Sequence, residues 1–428
     1  MAKSLLWCVL TLLVGTVAGC AVNKQSASAT ATSVANGFVI MPWELPPRNK
    51  EFADSRHGLA SLAECGFTVA GFVRPEHLSQ CEKLGLRAIV SRPDAPVKWE
   101  QMSDDQIDQT IRQWVFDSRS SPAVMGYFIT DEPGVAKFPA LAKAVAAVRK
   151  YAPGKLAYIN LYPDYATLGA PDLSQLGTSS YSDYLERFVS EVKPQVISYD
   201  NYRVQFSGDL KDPRLAESYF RNLLEVRRVA MAHGLPFWNI VSGNEIRPTT
   251  PAPSPSNLLL QAYTTLAAGA SGLTWYTYYA GRYHYAPVDA EGNRTPSWSY
   301  LKMVNDQVKA LGPQMMKLHS TGVYFTSSQP PLAGQPQLPG KVVGSIECAA
   351  PVMVGEFEDK MTRQRWAMVV NLSLNESANL KIAWASGTSA THYVSPVDGT
   401  LVKLDADKGL WLAAGQGVLV RTEADSAR

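Results

Sequence analysis

In the stretch YFITDEPG, Tyr127 to Gly134, four strand-forming residues lead straight into two carboxylates, Asp131 and Glu132, and Pro133 ends the run. A carboxyl group does acid–base work near neutral pH only if something keeps it protonated, and a neighbouring carboxylate or an apolar pocket can do that. A second carboxylate is then needed to attack, or to activate water. Two residues stand where such a partner could sit, Glu245 in PFWNIVSGNEIRP and Asp200 in SYDNY, with Glu44 in MPWELPP a weaker third. Adjacent residues on a strand point to opposite faces, so Asp131 and Glu132 are not coupled by sequence order alone.

Whatever positions these groups is an alternation of β and α segments. The strand candidates are 37–43, 66–72, 86–91, 124–130, 155–161, 195–201, 236–242 and 272–279. Rich in Val, Ile, Phe, Tyr and Trp, several are apolar almost throughout, as strands covered on both faces are. Helical periodicity fills the intervals at 138–153, 214–234 and 256–270, with Ser256 an expected N-cap and Gly234 a C-terminal stop. Eight such repeats predict an α/β fold, a (β/α)8 barrel, whose active site forms at the C-terminal ends of the strands. An open doubly wound sheet competes, but no G-x-G-x-x-G follows the first strand.

After residue 312 the texture changes. A Pro/Gly-rich linker at 327–340 separates the expected barrel domain, 37–326, from short alternating runs at 341–428 that predict a small antiparallel β-sandwich.

The D-E-P at 131–133 resembles the N-E-P of clan-A glycoside hydrolases, the (β/α)8 group that includes β-galactosidases. That resemblance implies a general acid/base at Glu132, after the fourth strand, and a nucleophile after the seventh, where Glu245 is the match. Glycosidic cleavage fits the residue types, because one carboxylic acid protonates the leaving oxygen and a second carboxylate attacks or activates water. Retention of configuration follows from the resemblance. The sequence also departs from the pattern. Asp131 replaces an Asn that would bond the sugar 2-hydroxyl, and a carboxylate cannot donate an amide N–H. Glu245 falls three residues beyond the expected strand end, which leaves Asp200 in contention as the partner of Glu132.

Residues at or near strand ends are the expected carbohydrate contacts: Asp131, Trp43, Asn160, Asn201, Tyr202, Trp238, Trp275, Tyr276 and Tyr279, with Trp275 and Tyr202 foremost. Tyr162 stands beside them, and Arg74, Arg92, Arg247, Arg282 and His284 are rim candidates.

Lys and Arg total 40 against 38 Asp and Glu, and no basic run carries interleaved aromatics, so no nucleic-acid surface is expected. Cysteine spacing offers no zinc site, and neither a metal nor an organic cofactor is expected. Residues 1–19 read as a signal peptide ending in V-A-G-C, which resembles a bacterial lipobox and implies a lipid anchor on Cys20. Residues 20–36 read as a flexible tether, placing the protein in the bacterial cell envelope. Two readings stand: a glycoside hydrolase, and a non-catalytic carbohydrate-binding lipoprotein on a glycosidase-like barrel.

Overall fold

The computed structural model describes residues 37–43 and 58–424, apart from Pro93, Pro96, 168–173, 207–211, 247–249, 280–282 and 406–408. Cys20, Glu44, Arg247 and Arg282 lie outside the described residues.

Eight strands and eight α-helices alternate in the described part of the first domain. They run β1 Val39–Pro42, α1 Leu59–Glu64, β2 Val69–Val73, α2 Leu78–Lys83, β3 Arg87–Val90, α3 Asp104–Ser118, β4 Val124–Asp131 and α4 Phe138–Tyr151. Then follow β5 Leu156–Leu161, α5 Tyr181–Arg187, β6 Ile197–Asp200, α6 Pro213–Ala232, β7 Phe237–Ser242, α7 Pro255–Ala267, β8 Gly272–Tyr276 and α8 Pro296–Met315. The strands are parallel and ordered β1-β8-β7-β6-β5-β4-β3-β2. The seam between β1 and β2 is bridged through Thr68, whose N–H donates to the Ile40 carbonyl and whose Oγ1 accepts from Ile40 N–H, both at 2.9 Å. The sheet therefore nearly closes into the expected barrel. Helix starts follow local chemistry: Ser103, Ser180 and Asp212 accept N–H bonds from the first turns of α3, α5 and α6. For α7 the cap is Ser254 rather than Ser256, because Pro255 takes the first helical position, where its missing N–H costs nothing.

Strand alternation sends one set of side chains inside the barrel and the other against the helices. The interior is a column of packed side chains that includes Trp238, Tyr158, Phe128, Phe72 and Trp43. Phe72 and Phe128 stack at 4.1 Å between centroids, and Trp43 meets Phe72 edge-on at 4.9 Å. Trp238 sits beside Gly272 so closely that a Cβ there would lie 2.5 Å from its ring. The barrel interior is thus filled, as in other (β/α)8 barrels, where ligands bind at the C-terminal mouth.

The second unit has two antiparallel sheets, one of three strands and one of six. Its first strand, β9 Leu318–Phe325, precedes the Pro/Gly-rich stretch and, skipping β10 Val343–Glu347, pairs with β11 Val352–Asp359. The six-stranded sheet lies on α7. Gly355 makes this possible, since a Cβ there would stand 2.0 Å from the Ala267 carbonyl oxygen. Buried Glu356 accepts backbone N–H bonds from Lys341, Val342 and Val343 at 2.8–2.9 Å, tying the incoming chain to the sheet. Cys65 and Cys81 are buried free thiols, and Cys348 is free and half-buried.

Candidate active site

The site is built from the ends of β4, β5 and β6. At the end of β4 the backbone leaves the extended region, and Glu132 has a φ of 42°. A non-glycine residue in this left-handed region costs of order 1–2 kcal/mol and persists only when its surroundings hold it. They do: Glu132 N–H donates to the Asn160 carbonyl at 2.9 Å, and the buried Tyr184 hydroxyl donates to the Pro133 carbonyl at 2.8 Å. The kink removes the strict strand alternation that would separate Asp131 from Glu132.

Asn160, at the inward-facing top of β5, organises the acids. Its Nδ2 donates to Asp131 Oδ1 at 3.1 Å and to Asp200 Oδ1 at 2.9 Å. Its Oδ1 accepts from Ser198 Oγ at 3.2 Å, and Ser198 in turn is 2.9 Å from the Tyr158 hydroxyl. Asp200, almost wholly buried at the tip of β6, shares a hydrogen bond with Glu132.

Three carboxyl groups in one pocket cannot all be ionised. Burial, then the charge of Asp131, pushes Glu132 up to about 7. Burial raises Asp200 well above the usual carboxylate range, and the charges of Glu132 and Asp131 add to this. Asp200 is the more deeply buried of the two, and the pair holds on to a proton that isolated carboxyl groups would have lost. Glu132 takes up its proton as pH falls through about 7.

Tyrosines wall this pocket. Burial raises Tyr162, Tyr165 and Tyr202, and each feels the charge of Asp200. Tyr202 packs against Tyr276 at 5.1 Å between centroids, and the Tyr276 hydroxyl is 2.6 Å from that of Tyr283. Trp43, 5% exposed, covers the top of the interior column.

Other expected contacts lie elsewhere. Trp275 faces away from the mouth: its indole N–H donates to Asn305 of α8 at 2.8 Å, because alternation along β8 turns it toward the helices. Trp238 is deep in the barrel interior, fully buried beside Tyr158. Asn201 points outward too, its amide donating to Asn222 of α6 at 2.8 Å. Tyr279 lies in the loop after β8, with its hydroxyl on the Ala290 carbonyl at 2.9 Å. Arg92 is paired with Asp94 at 2.7 Å. Tyr165, Tyr184 and Ser198 are the members that strand-end reasoning missed. Ser198 lies inside a strand, Tyr165 in the loop after β5 and Tyr184 in a helix.

The tip of β7 carries no carboxylate. Ser242 Oγ donates to both oxygens of Asn244 at 3.1 Å, and Asn244 Nδ2 donates to Thr277 Oγ1 at 3.2 Å. Glu245 is held in the loop beyond, its N–H on the His284 carbonyl at 3.0 Å and its carboxylate 3.2 Å from the His284 imidazole.

By sequence the chain matches no family model and no curated protein. Its structure does find relatives. A catalytic mutant of a GH42 β-galactosidase from G. stearothermophilus superposes with a TM-score of 0.61 at 8% identity, over 90% of this chain and 98% of that one. The fold is clan-A glycoside-hydrolase-like. A cold-adapted β-galactosidase from Rahnella sp. R3 gives a TM-score of 0.54 at 11% identity, over 91% and 98% of the two chains. A glycoside hydrolase family 5 structure from Bacteroides vulgatus gives 0.52 at 11%, over 91% and 90%. These neighbours are glycoside hydrolases that match both the barrel and the sheets after it.

A separate cavity of about 320 Å³ lies at the opposite pole, between the strand starts and β9. Lined by Met231, Leu235, Phe237 and Met315 among others, it contains none of the carboxylates. Among the described residues no three His, Cys, Asp or Glu side chains gather as a metal site.

Proposed function

We propose that the protein is a glycoside hydrolase in which Glu132 is the general acid. The observation that carries this reading is the state of Glu132 itself. It is a carboxyl at a strand's C-terminal end, largely shielded from water and pushed up to about 7, so that it is protonated when a glycosidic oxygen needs a proton. Asp200 serves as its proton-sharing partner, and Asn160 fixes the pair. Tyr202 and Tyr276 offer apolar faces with polar edges, the surface a sugar ring stacks on. A carbohydrate is the substrate.

The test is hydrolysis of aryl glycosides by the purified protein and by Glu132→Gln. Loss of a general acid costs about 10²–10⁴-fold with a poor leaving group and far less with one that needs no protonation, such as dinitrophenolate. A uniform loss on both leaving groups contradicts an acid role for Glu132.

A specific observation favours a second reading. The carboxyl beside Glu132 is hydrogen-bonded to it, closer than the roughly 5–5.5 Å of a retaining pair or the 6.5–9.5 Å of an inverting one. A sugar-binding protein on this barrel retains affinity in Glu132→Gln and cleaves nothing.

Cys20 is proposed as the lipid-anchored residue of a mature envelope protein. Cys20→Ser is expected to move the protein from the membrane fraction to the soluble one.

A further inference from the structure

We infer that the substrate carries a 2-acetamido group, and that the oxygen of this group acts as the nucleophile at the anomeric carbon. The inference rests on Glu132 as the general acid and adds the substrate class. Its first ground is the tip of β7. Ser242, Gly243 and Asn244 occupy it, Ser242 and Asn244 are bonded to each other, and Asn244 also to Thr277, so no carboxylate stands there. The next one, Glu245, is engaged by His284 in the loop beyond. The other near carboxyl, Asp200, is almost wholly buried at the tip of β6 and tied to the Asn160 amide at 2.9 Å, so it is not presented to a sugar at the mouth.

The second ground is Asp131. Its carboxylate lies one residue from the acid, oriented by the Asn160 amide at 3.1 Å, and is substantially exposed at the mouth. An ionised carboxylate only accepts hydrogen bonds, so it selects a donor on the substrate. An acetamide N–H supplies that donor and at the same time turns the acetamide oxygen toward the anomeric carbon. Tyr202 and Tyr276 supply the stacking wall for the ring.

The step balances without any further reagent. The acetamide oxygen forms a bond to C1 while the C1–O glycosidic bond breaks, and the leaving oxygen takes the Glu132 proton. The N–H of the resulting cationic five-membered ring bonds Asp131, whose charge stabilises it. Water then attacks C1, giving its proton to the Glu132 carboxylate. The ring opens to restore the acetamide with net retention.

The experiment compares 4-nitrophenyl 2-acetamido-2-deoxyhexosides with 4-nitrophenyl hexosides and 2-amino-2-deoxyhexosides. It includes N-trifluoroacetyl analogues and the variants Glu245→Gln and Asp131→Ala. The inference expects cleavage of acetamido substrates alone. It expects a fall on the order of a hundredfold from acetyl to trifluoroacetyl, because fluorine weakens the attacking oxygen. Glu245→Gln is expected to stay within about threefold of the parent, and Asp131→Ala to lose kcat on the order of a hundredfold. Cleavage of plain or amino hexosides, no sensitivity to fluorination, or loss of activity in Glu245→Gln overturns the acetamido mechanism but leaves the glycosidase reading standing. No cleavage of any glycoside removes both.

Discussion

Asn160 Nδ2 lies 2.9 Å from Asp200 Oδ1, and the same amide nitrogen reaches Asp131 Oδ1 at 3.1 Å. One neutral group thus fixes two of the three acids, while its backbone carbonyl fixes the third by accepting the Glu132 N–H. Hydrogen bonds to a carboxylate favour its ionised form, so Asn160 limits how far Asp200 is raised.

Replacing Asn160 by Asp adds a fourth carboxyl to the pocket and removes the donor. The alkaline limb of the kcat/KM profile is expected to move above its parental position near 7, because added negative charge holds the Glu132 proton more tightly. A pH–rate profile with an unmoved limb contradicts this positioning role.

In the parent, activity is expected to fall as pH rises through about 7, since Glu132 must be protonated to act as the acid. Stability carries the same signature. Glu132 is raised from 4.5 to about 7, so between those values the folded protein binds more protons than the unfolded chain, and stability falls as pH rises. Glu132→Gln escapes this loss. Chemical denaturation is expected to find the variant more stable at pH 8 by about 2 kcal/mol, allowing for partial solvent screening, with no such gain at pH 4.

Trp275→Phe separates packing from binding. The indole N–H bond to Asn305 belongs to the β8–α8 contact, so its loss is expected to cost about 1–2 kcal/mol with KM unchanged. Tyr276→Ala, at the mouth, is expected to raise KM instead. Thermal melts and steady-state kinetics on both variants check the assignment.

Glu356→Ala strips three backbone N–H groups, two of them buried, of their acceptor. Unsatisfied donors of this kind predict a loss of about 3–5 kcal/mol, visible by calorimetry, while kcat stays at the parental value because Glu356 is far from the carboxylates in the fold.

The barrel was legible because its signals are local. Apolar strand runs, periodic helices and capping residues each report on a few neighbouring positions, and eight repeats of them leave little choice of architecture. The acid was legible for the same reason: a carboxylate at the end of β4 faces the mouth of any such barrel. Side-chain direction was harder to read. Trp275, Trp238 and Asn201 are polar or aromatic groups near strand ends, and only the register of β8, β7 and β6 determined that they face helices or fill the interior.

Sequence alone, then, determined the alternation of elements, the acidic pair at the end of β4 and the offset of Glu245 from the end of the seventh strand. Tertiary structure decided the chemistry of that pair. The left-handed turn at Glu132, the reach of Asn160 across two strands and the burial of Asp200 join residues 29 to 40 positions apart. Proton affinity depends on such through-space charge and desolvation, which no short stretch of chain encodes.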